Sequence, residues 1–198
     1  MNGMKRSPAL AFALLVASTA AIVLGQVAPL HLRFNYDSGT SPEKWKPAGL
    51  SLAIGTITDA RSLEDGMRVG ECQAVGPSPT PVLSLTPVPD FVNQALQASL
   101  AKWKVNVSPE ADRVLRCEVL QFWVLEKKRF AANVALRFVL EDRAGAVLFQ
   151  GEVANDDSTW GKTCSEKNYN QVLSLATQRA FVDLFNNKEF RAALTGSH

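Results

Sequence analysis

The stretch RVLRCEVLQFWVLEKKRFAANVALRFVLEDRAGAVLFQGEVA, residues 113–154, decides the fold. It divides into three runs, 113–126, 129–142 and 146–154, joined by Glu126-Lys127-Lys128-Arg129 and Asp142-Arg143-Ala144-Gly145. In the middle run Ala132, Val134, Leu136, Phe138 and Leu140 share one parity, while Asn133, Arg137 and Glu141 take the other. A strand turns successive side chains to opposite faces, so this alternation predicts antiparallel strands with one greasy face and one wetter face. The wetter face is expected to be only partly wet. Leu120, Phe122, Val124 and Val139 fall on the parity opposite the first core set. Such a face is covered by a partner, a second copy, a ligand, or the chain's own N-terminal and proline-rich segments.

Upstream of this block, residues 49–58 alternate Leu50, Leu52 and Ile54 with smaller side chains and read as the first strand, running into Asp59-Ala60-Arg61. Asp59 and Arg61 form either a salt bridge that fixes the loop at 62–70 or a binding pair. Residues 76–89 carry Pro77, Pro79, Pro81, Pro87 and Pro89 and predict a stiff extended loop, with an edge strand at 82–85. Asp90 is a good N-cap for a helix whose stripe is Val92, Ala95, Leu96, Ser99, Leu100 and Trp103. Downstream, 155–167 reads as a polar loop. A second helix over 168–185 has Tyr169, Val172, Leu173, Ala176, Ala180 and Leu184 on one face. Phe190 and Leu194 close the chain with a short turn.

The order β-α-β-β-β-α gives an α+β fold: a mainly antiparallel sheet of four to five strands, with two helices packed on one face. The first strand and the strand after the first helix are expected to be parallel neighbours. By segment, 1–25 is a signal peptide or N-terminal anchor, 26–48 a flexible tether, 49–194 a single α+β domain, and 195–198 a frayed tail.

The N-terminus sets the compartment. Lys5 and Arg6 precede a nearly unbroken apolar run over 8–25, followed by small residues, as in a secretory signal peptide. An uncleaved anchor is the alternative, since the run lies near the lower limit for spanning a bilayer. Either reading exports the domain, to the periplasm or to a membrane anchor facing it. Leu24-Gly25-Gln26 occupies the place of a bacterial lipobox, but Gln26 has no thiol to accept lipid. With the first 25 residues removed, 19 basic side chains face 19 acidic ones. A neutral body offers no electrostatic reason for nucleic acid or anionic lipid as partner. Membrane association is then expected only through an uncleaved N-terminus.

Chemistry is sparse. His31 and His198 both lie outside the compact region, and no spacing suits zinc. No nucleophile has an evident base, so no catalytic, cofactor or metal residues are assigned. Cys117 shares parity with Leu115 and Val119 and reads as an inert core thiol. Cys72 and Cys164 fall in loop-like segments; a disulfide between them and two unpaired thiols are both open readings. The candidate interaction surface is Asp59, Arg61, Leu120, Phe122 and Val124.

With Leu50-Ser51-Leu52-Ala53-Ile54 leading to Asp59-Ala60-Arg61, the loop with Gly70, the helix from Asp90 to Trp103 and the block 114–153, the layout resembles the YajG-type family of bacterial envelope lipoproteins. That resemblance covers residues 49–194 and implies a periplasm-facing domain, ordinarily tethered to the outer membrane, without enzymatic activity. Gln26 departs from the pattern and makes this chain a non-lipidated variant. A second resemblance is to the auxiliary lipoproteins of lipid-trafficking ABC transporters. The functional expectation is a non-catalytic interaction or assembly module of the cell envelope, with an envelope protein as partner. The alternative is binding of a lipid or small apolar ligand.

Overall fold

A computed structural model of the chain describes residues 28–43, 49–62 and 66–196. The leader, Gln26, Trp45 and His198 lie outside the described residues. The elements in order are β1 (Ser51–Asp59), β2 (Arg68–Cys72), β3 (Thr80–Leu83), α1 (Val88–Lys102), β4 (Asn106–Val107), β5 (Arg113–Glu126), β6 (Phe130–Asp142), β7 (Val147–Thr159), α2 (Glu166–Asn186) and α3 (Lys188–Thr195). The fold is α+β, but among the described residues the sheet has seven strands rather than four to five, and there are three helices rather than two. It is also mixed rather than mainly antiparallel. β1 pairs in parallel with β4 and β5, and β2 with β5. The pairs β2–β3, β5–β6 and β6–β7 are antiparallel. The parallel pairing of β1 with β5, across α1, agrees with the sequence reading.

β7 runs on to Thr159, five residues beyond the expected end. Asn155 to Thr159 are polar, which mimics a loop, yet each pairs with a residue of β6 from Val134 back to Phe130. α1 starts at Val88, before the expected cap at Asp90. Pro89 sits in its first turn, where a missing N–H removes no helical bond, and Asp90 lies near the positive helix end. The expected closing turn is a full helix, α3, capped by Asn187 accepting from the Phe190 N–H.

α1 and α2 lie on one face of the sheet and on each other. Phe91 of α1 meets Phe122 edge-on at 5.4 Å, and Phe181 of α2 meets Phe138 at 6.1 Å. The stripe residues expected on both helices are buried there.

A β-bulge resets β5. The β5–β6 register slips between Val119 and Gln121, leaving Leu120 as the extra residue. One inserted residue inverts the parity of everything beyond it. Leu115, Cys117 and Val119 face the core before the bulge; Phe122, Val124 and Glu126 face it afterwards. This overturns the second-face assignment of Phe122 and Val124, which are 1% and 0% exposed. Trp123 and Leu125 take the outer positions instead, both only partly covered.

β1 and β2 lie end to end along the same edge of β5. β1 pairs with residues up to Val119, and β2 resumes at Val124. β2 comes close: a Cβ at Gly70 would sit 2.1 Å from the Val124 carbonyl oxygen, so only glycine fits.

The expected flexible tether is a docked strap over residues 28–43. Leu30 bridges to Ser84 and exchanges backbone hydrogen bonds with Leu83 and Leu85 at 2.8 and 2.7 Å. Leu30 and Leu32 are buried in the core. Beyond them α2 supplies the partners. Asn170 accepts from the Arg33 N–H (2.9 Å) and donates to the His31 carbonyl (3.0 Å). Ser174 accepts from Asn35 N–H (3.0 Å), and Gln178 accepts from Asp37 N–H (2.9 Å) while donating to Asp37 and Thr40 carbonyls. Four helical residues advance about 6 Å and two extended residues about 6.6 Å, so the two ladders keep step. Among the described residues no helix is long and apolar enough to cross a membrane.

Candidate functional site

The inner face of β5 ends in a carboxyl group. Glu126, the first residue of the charged connection Glu126-Lys127-Lys128-Arg129, is 2% exposed, whereas Lys127, Lys128 and Arg129 are exposed. The bulge explains it, because Glu126 inherits the core parity of Phe122 and Val124. Cys72 is the β2 partner of Glu126 in register, and Phe130 its β6 partner. Tyr169, fully buried on α2, stacks edge-on against Phe130 at 4.9 Å and donates its hydroxyl to Glu126 Oε2. Cys164, in the loop before α2, donates its N–H to the two carboxylate oxygens at 3.1 and 3.3 Å. It does so from a left-handed backbone (φ 55°), a conformation that disfavours a side chain bearing a Cβ.

Cys72 and Cys164 therefore meet although 92 residues separate them, with sulfurs 3.8 Å apart. Both are free thiols, Cys72 buried and Cys164 at the surface. Burial, the contact with Cys72 and the neighbouring Glu126 carboxylate push the Cys164 thiol up to about 11. Burial, and then the bond to Glu126, raise the Tyr169 phenol well above its ordinary range. The group can exchange thiol for disulfide, or offer two sulfurs and a carboxylate to a soft cation, since these ligand atoms lie within 4.8 Å of one another. Cys117 stands apart in the core, its thiol raised to about 12 chiefly by burial. Sequence reasoning singled out the two cysteines but missed Glu126 and Tyr169. Parity counted through a bulge at Leu120 was the signal that would have found Glu126.

Arg61 fills the gap between β1 and β2. Its side chain is 3% exposed and grips Asp59 with two bonds, at 2.8 and 2.7 Å. It also donates to the carbonyls of Arg68 (3.0 Å), Phe122 (3.3 Å) and Gly66 (2.6 Å). Those groups lie where the sheet ladder is interrupted, so a guanidinium fork stands in for strand pairing. Of the candidate surface, Arg61, Leu120 and Phe122 line an open groove of about 300 Å³, together with Ser62, Gln121 and Trp123. Phe122 turns its ring inward onto Phe91. The neighbouring groove, about 340 Å³, is lined by Thr56, Thr58, Arg116, Glu118, Arg137 and Val139. Here Arg137 bridges Glu118 and Glu152, and Arg116 pairs with Glu141. The outer face is thus a charged lattice with an apolar corner at Leu120 and Trp123.

The remaining open feature is an edge. Among the described residues β7 pairs with β6 alone, leaving its other side free along a 13-residue strand. Arg179 of α2 takes the Asp156 carbonyl (3.1 Å). Exposed apolar side chains stand at the start of the strand and just past its end: Val147 (57%) and Trp160 (72%).

No family model matches the chain, and no curated protein matches it. Solved structures do. Protein XCC0632 from Xanthomonas campestris, described with the family model DUF330, is similar over 72% of this chain and 87% of its own, with a TM-score of 0.53 at 15% identity. Lipoprotein GNA1162 from Neisseria meningitidis gives a TM-score of 0.38 at 12% identity, covering 70% of this chain and 99% of that one. A minor lipoprotein from Acinetobacter baumannii gives 0.36 at 14% identity, covering 75% and 95%. At such identities the likeness to XCC0632 is one of fold: the two share an α+β domain built on the same plan.

Proposed function

We propose that this chain is a non-catalytic, periplasm-facing protein of the bacterial cell envelope that serves as an interaction or assembly module. The observation that carries this reading is the free edge of β7. An exposed strand edge is a template for an added strand, with backbone bonds giving affinity and flanking side chains giving specificity. Val147 and Trp160 supply apolar anchors at the two ends of that edge. The leader sequence supports export, and the order of elements supports kinship with the YajG-type envelope lipoproteins, here without the lipid-accepting cysteine. The two outer-face grooves are open rather than enclosed, and charged side chains (Arg116, Glu118 and Arg137 in one, Arg61 in the other) are among their lining residues, which favours a protein partner over a buried acyl chain.

The test is photo-cross-linking in intact envelopes, with the cross-linking amino acid placed at Val147 or Trp160. One discrete protein adduct at these positions, and none from Lys104 on the far side of the domain, is the expected result. A lipid adduct, or no adduct above the Lys104 control, removes the proposal in favour of apolar-ligand binding or of no edge partner.

A further inference from the structure

The Cys72–Cys164 pair does not belong to the β7 edge, and its construction calls for a separate account. Neither sulfur rests on a free-swinging segment. Cys72 is the last residue of β2, fixed in register against Thr80 on one side and Glu126 on the other. Cys164 is held by its N–H on the buried Glu126 carboxylate, in a backbone conformation that few residues adopt unforced. The result is two thiols at 3.8 Å, one at the surface and the other fully buried. Gly161 and Lys162 of the same loop also pack on α2: the Lys162 carbonyl accepts from Asn168, whose side chain leaves no room for a Cβ at Gly161.

We propose that Cys72 and Cys164 are oxidised to a disulfide that clamps the β7–α2 loop onto β2, with Cys164 as the entry thiol and Cys72 as the resolving thiol. A small-molecule disulfide such as oxidised glutathione reaches only Cys164. Sulfur exchange there joins the Cys164 sulfur to one half of the reagent, and the other half leaves as a thiol carrying the Cys164 proton. Cys72 then attacks the Cys164 sulfur. The reagent's second half leaves with the Cys72 proton, and the Cys72–Cys164 bond closes. Two electrons and two protons pass from the protein thiols to the reagent. Cys117, buried away from both, takes no part.

The experiment uses the purified full chain, equilibrated with oxidised glutathione, acid-quenched, alkylated and mapped by mass spectrometry. The expected product has lost two hydrogen atoms, yields one cross-linked peptide pair joining Cys72 to Cys164, and carries alkyl label on Cys117 alone. C72S is expected to stop as a glutathione adduct on Cys164, and C164S to gain neither adduct nor bridge. Trypsin nicking after Lys162 reads the clamp itself and is expected to slow on oxidation. Three alkylated thiols in the wild-type chain would overturn the proposal, as would a wild-type adduct that never resolves. Co-purifying zinc that blocks oxidation until it is chelated would overturn it in favour of a metal site. Equal nicking rates before and after oxidation would remove the clamp.

Discussion

Arg61 shows how much one side chain contributes when it substitutes for backbone. With the guanidinium removed, the carbonyls of Phe122 and Arg68 lose a donor in a place water reaches poorly. Arg61→Ala is therefore expected to cost about 2–4 kcal/mol in urea unfolding, the range for stranding buried polar groups beside an unpaired charge. Arg61→Lys recovers little of it, because an ammonium lacks the planar fork. A change below about 0.5 kcal/mol for Arg61→Ala, the size of an ordinary surface substitution, would show that the gap is solvated and the bonds idle. The Asp59–Arg61 pair was legible in sequence, since residues two apart at a strand end reach each other. Its backbone duty was not, because that depends on a break between β1 and β2 that only tertiary pairing reveals. Cys117 adds a pH dependence. Its thiol is raised from 9.0 to about 12 in the fold, so the native state holds a proton there that the unfolded chain has released. Stability is full below pH 9 and falls as pH climbs toward 12, by up to about 1.4 kcal/mol per pH unit for this group. Cys117→Ala removes that contribution, and chemical denaturation of both proteins at pH 8 and pH 10.5 measures it as a shallower alkaline decline in the variant.

The strap and α2 form one element in mechanical terms, because the amides of Arg33, Asn35 and Asp37 have their hydrogen-bond acceptors on Asn170, Ser174 and Gln178. Gln178 alone serves an N–H and two carbonyls, so Gln178→Ala is expected to cost about 2–3 kcal/mol. Hydrogen exchange checks it locally: protection at Asp37 falls, while amides in the centre of β6 change only by the loss in global stability. Unaltered protection at Asp37 would mean the strap is held by Leu30 and Leu32 alone. In sequence this segment read as a tether, since Pro29, Asn35, Asp37, Ser38 and Gly39 break every apolar period. A strand whose partners are side chains of a helix shows no alternation of its own. The matching signal sat elsewhere, in Asn170, Ser174 and Gln178 at four-residue intervals on a helix otherwise read for its apolar stripe. β6 was the opposite case. Its alternation survived intact because both its faces and both its neighbours obey the same pleat. β5 read correctly in extent and wrongly in facing beyond Leu120, since a bulge leaves no mark in composition.

At the scale of the whole molecule β5 is the axis, with β6 along one edge and β1 followed by β2 along the other. The local part of that plan, hairpins β5–β6–β7 with a covering helix, was readable because each contact joins neighbours in sequence. The collinear pair β1–β2 was not, and the meeting of Cys72 with Cys164 was legible only as one of two open readings, because both depend on contacts between distant segments. The same asymmetry locates the open surface. β3 and β4 are edges as well, but they are four and two residues long and Leu30 of the strap pairs beside β3, whereas β7 runs 13 residues with β6 as its one strand partner among the described residues. If β7 is where a partner adds, then Val147→Lys together with Trp160→Ser places a charge at one end of the edge and removes the apolar anchor from the other. Both residues are exposed in the isolated chain, so unfolding free energy is expected to move by no more than about 0.5 kcal/mol. Removing an aromatic anchor from an interface commonly costs about 2 kcal/mol or more, so adduct yield in envelope cross-linking from Asn155 is expected to fall roughly tenfold or beyond. Arg116→Gln is the control, because it alters the charged outer face through its pair with Glu141 of β6 and makes no ion pair with β7. Yield lost in Arg116→Gln but kept in the double variant would put the partner on the outer-face grooves and retire the edge as the binding site.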